Sequence, residues 1–388
     1  MRPHLIEVKI PTRNPYVVQR IRILVPRTTV DIPNDGRRRP QETPKHGDGV
    51  EGDVSTPPPW SILETMARVR SAAPLAVRPL PAGLVTEDWT GDAVFHEYSA
   101  AVDPLGAGTI TPITVRRFPA SLHASGPTGA VTLDLSHDLV TDGPATGPSL
   151  LAQFLRIEAG DSLTTAVVAT SELIYCLRGA GRLELDGGRA VGWRAGDVLA
   201  LPARSRACYR AHQDSVLYHV DDSPLLRYLG VEPSRARFAP TLFDGSVAAD
   251  RLAAVAAEPA AAGRSRVAVL LGNAAHDQTL TATHTLWAML GVLPDGAVQR
   301  PHRHQSIALD LIVDCRPGCY SLVGTTVDAA GTIVDAERVD WETGGAFVTP
   351  PGLWHSHHNE SGAPAHLLPV QDAGLHTYLR TLDIRFTA

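Results

Sequence analysis

The chain has 388 residues, enough for two domains that each bury a core, and its 44% hydrophobic and 20% charged residues are those of an ordinary globular protein. A formal net charge of −6 gives no footprint for nucleic acid, and no apolar run approaches the roughly 18 residues of a membrane-spanning helix. The N-terminus lacks a signal-peptide pattern, and the four cysteines are too few for a disulfide framework, so a reducing cytoplasm is the expected compartment.

Residues 1–55 read as a disordered or extended basic tail that includes Arg37, Arg38 and Arg39, with one strand expected over Tyr16 to Val25. The stretch from Asn34 to Pro59 is polar and rich in Pro and Gly, which predicts disorder. Ser61 and Glu64 have the spacing of a capping box and predict a helix start. From about residue 80 onward, short runs rich in Val, Leu and Thr alternate with Gly, Pro and Asp turns, as at Leu183 to Leu185, Val198 to Leu201 and Phe347 to Thr349. That pattern predicts an all-β sandwich or barrel. An Ala-rich helix over Ser246 to Glu258, closed by Pro259, divides it, giving an N-terminal barrel at 80–235, a helical linker at 236–263 and a C-terminal barrel at 264–388. The halves repeat each other: Val191-Gly-Trp193-Arg-Ala-Gly196 before Pro202 parallels Val339-Asp-Trp341-Glu-Thr-Gly344 before Pro350.

The chemistry gathers in the second half. His302 and His304 are two apart, and residues two apart on a strand face the same way. Later, Gly344, Pro350 and Gly352 suit a tight turn that delivers His355, with Asn359 following. Three neutral imidazoles on one divalent ion leave coordination positions for other ligands. The first half keeps Gly160, Gly196 and Pro202 of the same frame, with Glu172 and Gly179 between them. Ala166, Val168 and Ala207 stand where its histidines would be, while Arg204 and Ala211 replace the Gly and Asn. Alanine and valine bind no metal, so the expectation is one site per chain.

These spacings resemble the paired motifs of the cupin superfamily, G-x5-H-x-H-x3,4-E-x6-G and G-x5-P-x-G-x2-H-x3-N. The second matches throughout, whereas Ala308 and Leu309 stand at the glutamate position of the first. The resemblance implies a double-stranded β-helix (cupin jelly-roll) bicupin with short helical linkers. Two barrels with a three-histidine site look like the gentisate 1,2-dioxygenase group, which includes salicylate and 1-hydroxy-2-naphthoate dioxygenases. Thr285-Leu286-Trp287-Ala288, His302-Arg303-His304, Trp354-His355-Ser356-His357 and Asp372-Ala373-Gly374-Leu375 are similar to stretches of that group.

What the resemblance implies is a non-haem Fe(2+) dioxygenase that cleaves or oxidises a small aromatic substrate with dioxygen. His302, His304 and His355 would hold the ion, His357 would hydrogen-bond substrate or oxygen, and Trp287 would wall the ring pocket. Zn, Ni, Cu or Mn also suit three histidines. Where the group has a carboxylate-binding arginine this chain has Asp310, and Gly291 stands where it has a glutamine. Asp310, on the strand face of His304, would repel a carboxylate and favour a phenol or aminophenol over gentisate. The alternative is a cupin isomerase, cyclase or hydrolase that uses the metal as a Lewis acid. Pairing of exposed strand edges makes a homodimer or homotetramer the expected assembly.

Overall fold

The computed structural model describes residues 4–11, 18–25 and 89–387, which fall into two units, 1–107 and 108–388. In the first, His4–Pro11 and Val18–Val25 form an antiparallel hairpin with His4 opposite Val25. A one-turn helix at Tyr98–Ala101 is capped by the Glu97 side chain, which accepts from Ser99 N and Ala100 N. The disorder expected over Asn34 to Pro59 and the helix expected near Ser61 lie outside the described residues.

In the second unit, the aliphatic runs become antiparallel strands, as the all-β reading expects. One six-stranded sheet has the spatial order Thr241–Phe243, Val198–Pro202, Ser171–Arg178, Ser215–Asp221, Leu151–Ile157, Gly129–Thr132. A four-stranded sheet of Ser162–Ala166, Arg206–Ala211, Ala180–Leu185 and Ala190–Arg194 faces it to make the first barrel. The second barrel pairs another six-stranded sheet, in the order Val267–Leu270, Trp287–Leu293, Ala365–Gln371, Ala308–Asp314, Ala346–Thr349, Arg116–Phe118, with a five-stranded one. The latter runs Glu337–Asp340, Cys319–Gly324, Trp354–Asn359, Val298–Arg303, Arg385–Phe386.

Pairing crosses the sequence-based boundaries twice. Arg116–Phe118 precedes the first barrel yet lies beside Ala346–Thr349 of the second, with Phe118 opposite Ala346. Thr241–Phe243, within the expected linker, is an edge strand of the first barrel, with Phe243 opposite Val198. The linker helix runs Gly245–Ala256, because Asp244 caps it by accepting from Ser246 N and Val247 N.

The two six-stranded sheets have apolar residues on both faces, and a period of two sorts them. Leu173 and Tyr175 join Leu309, Leu311 and Val370 in one core shared by the barrels, whereas Ile174 and Cys176 turn into the first barrel. Ile312 likewise turns into the second barrel's own core with Val323, Trp341 and Phe347. Asp310 has the parity of Ile312, so the strand aims it inward. Leu252 of the helix packs with Ala261 and Val267, seating the edge strand that Arg266 immediately precedes.

Candidate metal centre and its cavity

His302 is the penultimate residue of the strand Val298–Arg303 and the register partner of His355 on Trp354–Asn359. His304 follows one step beyond its strand, and Gly352 N donates to His304 O at 2.7 Å, tying the turn that delivers His355 to the other ligands. The donor atoms of the three histidines lie within 4.8 Å of one another, and among the described residues no other such group is found. All three are buried. Asn359 ends the strand by donating to Leu293 O and Ala363 O, both at 2.8 Å.

Each imidazole is oriented the same way. Nδ1 of His302 faces Arg300 O at 3.1 Å, Nδ1 of His304 faces Ser306 O at 2.8 Å, and Nδ1 of His355 faces Leu353 O at 3.1 Å. A carbonyl only accepts, so the ring proton sits on Nδ1 and each Nε2 carries the lone pair that an ion would use. Burial lowers all three pKa values, that of His304 to about 4 and those of His302 and His355 well below the ordinary imidazole range, which keeps the rings neutral as ligands must be.

The structure adds a residue that no motif contains. Arg266 Nη2 lies 3.3 Å from His302 Nε2 and 3.4 Å from His357 Nε2. In the amide orientation its neighbours dictate, Gln299 accepts from Arg266 Nε at 2.7 Å and Nη2 at 3.1 Å. A guanidinium only donates, so His357 Nε2 accepts, and His357 Nδ1 donates to Ser321 Oγ at 2.7 Å. Trp341 Nε1 donates to the same hydroxyl at 2.9 Å. Arg266, Gln299, His357, Met289 and Gly291 line a cavity of about 390 Å³.

Asp310 is buried on the inward face, as its strand parity requires, but it is not alone there. Thr349 Oγ1 donates to its carboxylate at 2.6 Å, and the Arg266 charge opposes it. Desolvation still pushes its pKa up, to about 6. Asp310 is absent from the cavity lining, and so is Trp287, which begins its strand opposite Gln371 on the face of Met289 and Gly291. The Asp310 carboxylate, expected to face the cavity, is thus answered by Thr349 and by the Arg266 charge.

In the first barrel, Ala207 is fully buried and Val168 half exposed, and neither offers a donor. Glu172 is engaged instead with His219 Nε2 at 2.9 Å, inside the barrel. His219 is also a residue that the motifs do not contain.

No family model matches the chain. It is 30% identical over 130 residues to gentisate 1,2-dioxygenase 1 of Aquipseudomonas alcaligenes, covering 34% of each chain. It is 30% identical over 99 residues to 1-hydroxy-2-naphthoate 1,2-dioxygenase of Nocardioides sp. (strain KP7), covering 26% of this chain and 23% of that one. The match therefore spans about a third or less of the length of these curated relatives. Salicylate 1,2-dioxygenase from Pseudoaminobacter salicylatoxidans, solved as adducts with gentisate, superposes with a TM-score of 0.59 over 87% of this chain and 96% of that one, at 11% identity. That likeness shows the fold, the two-barrel cupin architecture.

Proposed function

We propose that the chain is a non-haem Fe(II)-dependent ring-cleaving dioxygenase acting on a hydroxylated aromatic that carries an acidic group beside the reacting hydroxyl. The observation that carries the reading is three converging Nε2 lone pairs beside a guanidinium at the wall of a 390 Å³ cavity. The donor set fits a divalent ion, because three neutral imidazoles hold it and leave positions open. Bound by His302, His304 and His355, Fe(II) supplies the one-electron chemistry through which dioxygen reacts with a closed-shell ring.

The remaining residues bind and orient. Arg266 presents the planar fork that matches a carboxylate. Its charge reverses the preference that Asp310 alone implied, from an amine-bearing phenol to a phenolic acid. His357 sits beside it with one ring nitrogen anchored on Ser321 and the other facing the cavity. Asp310 acts through Arg266 as a positioning residue, and Trp287 supports from outside the lining the wall that Met289 and Gly291 form on the same strand face. Gentisate, salicylate and 1-hydroxy-2-naphthoate, named in the relatives, are acids of the kind proposed.

The test is oxygen uptake by anaerobically purified, iron-loaded protein offered those three acids, catechol and 2-aminophenol. One ring-cleaved product per dioxygen, with an acid preferred and zinc-loaded protein inactive, is the expected result. Turnover without dioxygen would sink the oxygenase reading, and a clear preference for 2-aminophenol would sink the acidic-group assignment. Among the described residues no helix is long and apolar enough to cross a membrane, and the four cysteines are unpaired, which supports a reducing cytoplasm. A homodimer or homotetramer remains the proposed assembly, checked by light scattering.

A further inference from the structure

A second recess, of about 660 Å³, shares no lining residue with the cavity beside the histidines. Arg235 and Arg237 form one wall, His276 and His284 its floor, and Tyr378 of the helix Ala373–Leu379 another side.

Its charge is one-sided. Neither arginine has an ion pair or side-chain hydrogen bond among the described residues, and both are exposed. The one lining carboxylate, Asp277, is exposed and equally unpaired. Deeper in, the rings of His276 and His284 lie 5.6 Å apart, against Phe238 at 5.5 and 6.2 Å. His276 Nε2 and His284 Nδ1 are both buried and without a hydrogen-bond partner.

Both rings line the recess beside two guanidinia that have no ion pair among the described residues, and the Arg237 charge reaches both imidazoles, so the recess gathers donors with no acceptor set against them. Burial and the Arg237 charge hold both imidazoles below their ordinary range, His284 at about 4. The rings are therefore neutral, and each keeps one N–H to donate. A metal ion would face repulsion from Arg235 and Arg237, whereas an oxyanion would meet donors on both sides.

We propose that this recess is a second binding site, for a small oxyanion (a carboxylate or a phosphate), held by Arg235 and Arg237 over His276 and His284. The proposal stands apart from the dioxygenase reading, since none of these residues lines the cavity of that reaction.

The experiment is calorimetric titration of the full-length, metal-loaded chain with inorganic phosphate and, separately, with benzoate. Saturable binding of at least one probe is expected. In the Arg235→Ala/Arg237→Ala chain it should weaken at least about tenfold, the scale of one charge-assisted bond. His284→Phe keeps a ring against Phe238 but removes the N–H, and should weaken binding several-fold in a chain that is still folded. Arg266→Gln should leave phosphate binding unchanged. Which probe binds more tightly identifies the oxyanion. No binding of either probe, or binding that survives loss of both arginines, overturns the proposal. Loss of phosphate binding in Arg266→Gln also overturns it, by assigning the anion to the first cavity.

Discussion

Asp310 is buried, receives one hydroxyl hydrogen bond from Thr349, and sits in the field of Arg266. Burial is the largest influence and raises its pKa from 3.8 to about 6, so the folded chain holds this proton more tightly than the unfolded one. Its contribution to stability is therefore full below the unfolded value and is lost as pH rises through the folded one, where the ionised form costs roughly 3 kcal/mol. In Asp310→Asn the Thr349 hydroxyl still has an oxygen to donate to. The variant should gain on the native chain between pH 4 and 7, by up to about 3 kcal/mol, as read from denaturant midpoints across that range. With the opposing charge gone from Arg266, KM for a phenolic acid should fall several-fold while kcat changes little. A stability gap that does not vary with pH would contradict the buried titration. For the ligands, His302→Ala, His304→Ala or His355→Ala should each remove stoichiometric metal and nearly all activity, measured by metal analysis and oxygen uptake. The convergence of these three was legible in the sequence because their geometry is local: two at one strand end, two residues apart, and one after a glycine turn. Arg266 was not, because it reaches the histidines from the step before an edge strand seated by the linker helix, and only tertiary structure brings it there.

The turn before His355 is legible for the same local reason. Gly352 has φ +77°, a left-handed conformation, and its N–H is bonded to His304 O. Arg204 stands at the matching point of the first barrel with φ 65°, so the backbone repeat persists although the glycine does not. A Cβ on Gly352 would meet nothing within 4 Å, which leaves backbone strain as the whole cost of Gly352→Ala. The variant should lose about 1–2 kcal/mol and bind metal more weakly, since the same turn carries His355 and holds His304. Thermal unfolding of the metal-free chain gives the first quantity and a chelator competition the second. Unchanged metal affinity would mean that the turn does not position the ligands. What the sequence hid at this scale was strand pairing. Arg116–Phe118 lies against Ala346–Thr349, and nothing periodic in either run names the other. The same holds for Thr241–Phe243, whose short run reads as linker until its partner Val198–Ala200 is known.

The two six-stranded sheets share one core, in which Phe154, Tyr175 and Tyr218 of the first barrel meet Leu309, Leu311 and Val370 of the second. Polar bonds cross the same boundary: Thr285 donates to Asp222 at 2.8 Å and Ser149 to Asp372 at 2.6 Å. Asp372 also accepts from Ile307 N at 3.0 Å, on the segment that leads from His304 into the strand of Asp310. The first barrel, which brings no comparable histidine group together among its described residues, thus supports the one that does, because part of the apolar cover on the second barrel's six-stranded sheet comes from the first. Unfolding should accordingly be one transition for residues 108–388. Leu309→Ala opens a void in the shared core and should cost about 3 kcal/mol. Hydrogen exchange is the discriminating measurement, followed on Ser171–Arg178 of one barrel and Ala308–Asp314 of the other. In the variant, protection should fall by the same free energy in both strands, since neither sheet keeps its apolar cover when the other leaves. If Ser171–Arg178 stays protected while Ala308–Asp314 exchanges, the barrels are separate folding units, and the first supports the site only by contact.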